Sequence, residues 1–248
     1  MLPVCRPNRG SYVVGYCNKD VDSAEVTYFS GGKMFNVIGA KGTWQLKDIK
    51  AVGMDTTADF IQFLDSEAAD TYLSATCADD TYAEKFRGWW DGDDVGGTRV
   101  DEEEFDNGTA FLGAFTSGNT ITFTYAGEVQ GSEGATITIP EDCTYAFICN
   151  PLPVDVQLGD LTCDGMDTTA DFLQFLDTEY ADTYLSVTFA DSTYAAKFQG
   201  WWDGDDVGGT RVDDQPLLAG EGILGAFTSG QELELVFPDP LTVKHDAE

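Results

Sequence analysis

The chain has 248 residues, 42% of them apolar and 12% aromatic, enough to fill packed cores and to exclude wholesale disorder. Its 44 acidic and 13 basic residues leave a formal charge of −31. Such a field repels phosphate backbones and anionic lipid, which excludes nucleic acid and membrane surfaces as general partners, and no apolar run approaches the length of about eighteen residues that spans a bilayer.

Taken in chain order, the start MLPVCRPNRGSYVV lacks the apolar core of a secretory signal, so no signal peptide is expected in this chain. Residues 1–50 carry seven basic against four acidic side chains, a net of +3, while the other 198 residues carry a net of −34. That asymmetry reads either as drift in surface composition or as a weakly basic end that docks on an acidic neighbour. AEVTYF at 24–29 and ATITI at 135–139 are β-branched or aromatic runs of strand length. DFIQFLD at 59–65 suits a helical face as well, but its short length and flanking Asp, Thr and Gly favour a strand. TYLSATC alternates so that Leu73, Ala75 and Cys77 share one face. FLGAFTSGNTITFTY predicts a hairpin that turns at Ser117-Gly118-Asn119, where glycine supplies the positive φ of a tight turn.

An internal repeat then organises the whole chain. GMDTTADFIQFLD at 53–65 returns as GMDTTADFLQFLD at an offset of 112, and Gly88–Asp101 is identical to Gly200–Asp213 over fourteen residues. LKDI at 46–49 faces LGDL, GAFTSG at 113–118 recurs, and VVGYC at 13–17 lies opposite YAGEV at the same offset. Leu185, Val187 and Phe189 repeat the alternating face of the first copy. The expected organisation is all-β, with two tandem antiparallel β-sandwich domains from an internal duplication. The boundaries are a tail at 1–12, repeat 1 at 13–124, repeat 2 at 125–240 and a tail at 241–248. The last strand of the first unit should run straight into the second.

The order VVGY, LxDI, GMDTTAD, IQFLD, TYLS, GWWD and G-x-G-I-L-G-A-F resembles a group of uncharacterised β-rich modules found in tandem in secreted or surface proteins of bacteria. The resemblance covers most of both repeats and implies fold and exposure, with no activity attached. A chain without a signal peptide departs from that secreted pattern and points toward a phage virion protein, which needs no export.

Catalysis finds little footing. The single histidine is His245, outside both repeats, and no nucleophile elbow, phosphate-binding loop or HExxH motif is present. No enzyme activity and no resident cofactor are expected. The one candidate metal is calcium: Asp160, Thr162, Asp164, the carbonyl of Met166, Thr168 and Asp171 fall at the ligand spacing of an EF-hand-type loop, with Gly165 at its sharp turn. Copy one places Lys50 and Val52 at two of those positions, so the shared GMDTTAD is read first as a folding device.

The second acidic cluster is Trp89-Trp90-Asp91-Gly92-Asp93-Asp94 and its twin Trp201, Trp202, Asp203, Asp205 and Asp206. Adjacent tryptophans on a strand point to opposite faces, so one fills the core and the other is expected at the surface or in an interface. Three readings stand: a structural one with Arg99 and Arg211 paired to nearby aspartates, a protein interface, and a glycan platform. Of six cysteines, Cys143 with Cys149 and Cys5 with Cys17 are close enough in sequence to bridge. The functional expectation is a structural component of a larger particle outside the cell. A phage decoration, spike or coat protein leads, or else a surface filament subunit, partnered by copies of itself or other particle proteins. The alternative is a cell-surface adhesin that binds glycan at the twin WWDGDD sites.

Overall fold

The computed structural model describes residues 14–22, 33–35, 43–64, 72–92, 95–106, 108–128, 133–152, 154–176, 184–204, 207–219 and 221–243. The strand expected at 24–29, the tail at 1–12, Cys5, His245, Asp93, Asp94, Asp205 and Asp206 lie outside them. No helix among the described residues is long and apolar enough to cross a membrane.

The chain is all-β, built from antiparallel sheets. In order come β1 (Val14–Asp22), β2 (Lys33–Phe35), β3 (Trp44–Gln45), β4 (Ile49–Val52) and β5 (Asp59–Leu64). β6 (Tyr72–Ala78), β7 (Gly88–Asp91), β8 (Glu104–Phe105), β9 (Phe111–Phe115) and β10 (Thr120–Glu128) complete the first set. The second set opens with β11 (Ala135–Ile139), β12 (Tyr145–Cys149), β13 (Val156–Gln157), β14 (Thr162–Asp164) and β15 (Asp171–Leu176). It closes with β16 (Tyr184–Ala190), β17 (Gly200–Asp203), β18 (Pro216–Leu217), β19 (Gly222–Phe227) and β20 (Leu233–Phe237). The first set forms sheets of order β2-β9-β5-β6-β7, β1-β10-β4 and β3-β8. The second forms β12-β19-β15-β16-β17, β11-β20-β14 and β13-β18, and among the described residues no sheet mixes the two sets.

Period-two alternation explains where the core sits. Ile61 and Phe63 of β5, Ala75 and Cys77 of β6, Trp89 of β7 and Phe111 and Phe115 of β9 meet Ile49, Ala51, Ile121 and Phe123 of the three-stranded sheet. A separate cluster, with Val187, Phe189, Trp201 and Leu235 among its members, repeats this in the second set. Burial is worth about 1.5–3 kcal/mol for each large apolar side chain, so these layers drive folding.

Two expectations are corrected. The hairpin around Ser117 does not form: β9 belongs to the five-stranded sheet and β10 to the three-stranded one. Gly118 does take φ 79°, but the turn carries the chain across the core from sheet to sheet. Asp59 dictates this by accepting the N–H groups of Thr116 at 2.9 Å and Ser117 at 3.0 Å, which ties the turn to the start of β5. Phe115 and Phe123 then meet in one core from opposite sheets, their rings 5.8 Å apart. Likewise VVGYC and YAGEV are not equivalents. Val14–Cys17 pairs with Tyr125–Glu128, Gly15 opposite Gly127 and Cys17 opposite Tyr125, and β10 continues to Glu128.

The two sets meet through backbone as well as side chains. Ala110 donates its N–H to the Phe147 carbonyl at 2.9 Å, and Cys149 donates to the Gly108 carbonyl at 2.8 Å. Ala110, Phe147 and Cys149 are buried there, with Leu112 and Leu224 packed against them. β19 also lies close to β2, the edge strand of the first five-stranded sheet.

Candidate functional site

β7 lies beside β6 with Trp89 opposite Cys77 and Trp90 opposite Thr76. Trp89 enters the core at 1% exposure and donates its indole N–H to the Ile49 carbonyl at 3.1 Å. Trp90 lies outside that core cluster, yet it is only 5% exposed, and Trp201 and Trp202 are at 0% and 4%. The expectation of one exposed tryptophan per pair is therefore corrected.

The cover comes from the residues that follow. Arg99 bridges back to Trp90 and holds its guanidinium 4.7 Å from the ring centroid, while the Trp90 indole N–H donates to the Phe86 carbonyl at 2.7 Å. Arg211 covers Trp202 at 4.8 Å, and Trp202 donates to the Phe198 carbonyl at 2.7 Å. No tryptophan face is left on which a sugar could stack. Asp91 and Asp203 are exposed at the ends of β7 and β17.

The arginine is itself held. Asp101 accepts the Trp89 backbone N–H at 2.8 Å with one oxygen and pairs with Arg99 through the other. Arg99 also donates to the Arg87 carbonyl. In the second set Asp213 accepts from Trp201 at 2.9 Å and pairs with Arg211 at 2.6 Å. Gly88 is required here: at φ 120° a Cβ would stand 2.6 Å from the Asp101 carboxylate. Beneath Trp90 and Trp202, the buried hydroxyls of Thr76 and Thr188 have no hydrogen-bond partner among the described residues.

The calcium-spaced residues each have other contacts, and among the described residues no group of three or more His, Cys, Asp or Glu that could hold a metal is found. Asp160 caps a 3-10 turn over 158–160, accepting the Gln157 N–H at 2.9 Å. Thr162 and Asp164 are exposed on β14, and the Met166 sulfur accepts the Phe189 N–H at 3.0 Å in the core. Thr168 bonds the Tyr194 hydroxyl at 2.9 Å. Asp171 is fully buried, one oxygen taking the N–H of Thr228 and Ser229 at 3.0 Å each and the other that of Asp167 at 2.9 Å. Asp59 makes the same three contacts in the first set, so GMDTTAD is a strand-start lock. Asp55 and Asp167 brace the same turns. Bonds first from the backbone N–H and then from the hydroxyl of Thr57 and Thr169 hold their carboxyls below the usual range.

The cysteine expectation is also corrected for one pair: Cys143 and Cys149 are not bonded to each other.

The two sets differ at the place of Cys77. Where Phe189 packs 4.9 Å from Trp201, the first set has Cys77 against Trp89, and a depression of about 230 Å³ opens there. Lys47, Lys50, Asp79, Asp80 and Arg87 surround it. Lys50 pairs with Asp80 at 2.7 Å, which holds that carboxyl below its usual range, and Arg87 stands 3.8 Å from it. Burial pushes the Cys77 thiol up to about 12, so it is a packing group and not a nucleophile. The Cys77–Phe189 exchange was visible in the repeat, but nothing in the sequence alone said that it left a hollow.

No protein-family model, curated protein or solved structure matches the chain.

Proposed function

We propose that the chain is a non-catalytic structural protein of a larger assembly outside the cell, a virion decoration, spike or coat component or a surface filament subunit. In this reading the two strand sets are tandem β-sandwich domains from an internal duplication. The observation that carries it is the use of the repeated polar groups. Asp59 and Asp171, Asp101 and Asp213, and Arg99 and Arg211 are all engaged in holding their own turns and edges. What the duplication preserves is therefore scaffold, and copies of one scaffold are what a regular particle is built from. The glycan reading has lost its aromatic platform, because both tryptophan pairs are buried.

Immunogold labelling of native source material with an antibody to the chain tests the reading. A regular particle labelled at even intervals is the expected image. Diffuse cell-surface label, together with specific binding on a glycan array, would instead make the protein an adhesin.

A further inference from the structure

We propose that the junction between the two strand sets is a salt-sensitive latch, which opens as a unit while both cores stay packed and which low ionic strength favours open. The inference does not depend on the assembly reading and concerns a single copy of the chain.

The contact is specific but small. Ala110, Phe147 and Cys149 are its buried residues, with Leu112 of the first set and Leu224 of the second packed against them. Among the described residues, backbone hydrogen bonds cross it from Ala110 to Phe147 and from Cys149 to Gly108, on either side of an antiparallel bridge between Thr109 and Ile148. Gly108 permits the close approach: at φ 96° a Cβ there would stand 2.5 Å from Ile137 Cδ1. The closed arrangement is therefore a fitted one. Each large core, however, is filled from its own set, with Cys77 in the first and Cys163 in the second. Among the described residues no ion pair crosses the junction. A small contact between two separately packed bodies opens at a lower free energy than either body unfolds.

Charge supplies the bias. Residues 1–128 hold 21 acidic and 10 basic side chains, a net of −11, and residues 129–248 hold 23 and 3, a net of −20. Like charges on bodies held in contact repel, and salt weakens that repulsion. The screening length is about 30 Å at 0.01 M ionic strength and about 8 Å at the physiological level. Apolar burial and strand pairing, which favour closure, are neutral and are not screened in this way. The balance between the two forms therefore tips with ionic strength. Opening bares Phe147, Leu112 and Leu224 together with one edge of β12, so the two forms offer a neighbour different surfaces.

Maleimide labelling of the native full chain, located by mass spectrometry over a range of salt, tests this. Cys149, Cys163 and Cys77 are 0%, 1% and 5% exposed, so the closed structure protects all three and their labelling rates read separate openings. At low salt Cys149 should be labelled at least about tenfold faster than Cys77 or Cys163, and physiological salt should slow it about threefold or more while the other two stay protected. Leu112→Ala, a truncation in the first set, should speed the labelling of Cys149 in the second and leave Cys163 unchanged. Fraying of β12 alone would not respond to that change. A Cys149 labelled no faster than Cys163, or a Cys149 rate indifferent to salt or to Leu112→Ala, overturns the proposal, and the wild-type salt series decides it even if the variant does not fold.

Discussion

Asp101 and Trp89 form one joint: the carboxylate accepts the tryptophan's backbone N–H at 2.8 Å, while its second oxygen pairs with the Arg99 that covers the neighbouring Trp90. A single aspartate thus ties the edge strand to the arginine that covers its outer face. Asp101→Asn keeps an acceptor for Trp89 and loses only a partly exposed ion pair, so it should cost less than about 1 kcal/mol. Asp101→Ala leaves the N–H unmet and releases Arg99, and should cost about 2–3 kcal/mol. Urea denaturation of the two variants gives the comparison, and equal losses would contradict the joint.

Trp90 is a packing residue on this account. Trp90→Ala should destabilise the protein by about 3–5 kcal/mol, the cost of truncating a buried tryptophan. A surface platform residue would leave the thermal midpoint nearly unchanged, and that outcome would restore the binding reading of the WWDG motif.

Asp59 and Asp171 each accept three backbone N–H groups in full burial. Alanine at either position strands those donors, at about 1–3 kcal/mol for each one left unsatisfied. The two variants should lose the same stability within error, because the contacts match. Calcium should rescue neither. A calcium-dependent midpoint in wild type that disappears in Asp171→Ala would return that residue to a metal site.

Thr76 and Thr188 bury hydroxyls without partners among the described residues. Valine has nearly the same shape and no polar atom to desolvate. Thr76→Val and Thr188→Val should each raise stability by up to about 1 kcal/mol, measured by denaturant midpoint. A loss at either position would mean that the hydroxyl is bonded after all.

Cys77 and Cys163 tie stability to alkaline pH. Burial pushes both thiols from 9.0 to about 12, so the folded state holds its protons where the unfolded state releases them. Their contribution is complete below pH 9 and is lost progressively as pH rises toward 12. Wild type should therefore lose more stability than a Cys77→Ala, Cys163→Ala double variant over that range. Parallel pH curves for the two proteins would contradict it. In native protein neither thiol should react with a maleimide until the chain unfolds.

Strand runs were legible from local signals: YLSATCA follows from its period of two, and DFIQFL from its short length and flanking turn residues. The sheet that each strand joins was not. FLGAF and TITFTY look like neighbours in a hairpin, and only the reach of Asp59 across 57 residues to Thr116 shows that the turn crosses the core. Burial of Trp90 was hidden for a similar reason. The cover is supplied by Arg99 and the 3-10 turn over 84–86, and no pattern in WWDG announces that these fold back on it. Asp160 resembled a metal ligand because the spacing was right, but in Q-L-G-D it is the capping residue of a short turn. Spacing along the chain records which groups are available, and contacts far apart in sequence decide how they are used.

The central claim, that this chain is built to associate, is tested most directly by sedimentation velocity over a range of ionic strength. At charge −31 the copies repel at long range, and screening within about 8 Å at physiological salt permits close approach. The account predicts monomers at low salt and concentration-dependent larger species at moderate salt or with added calcium. A single monomeric boundary at every concentration, salt and calcium level would contradict it.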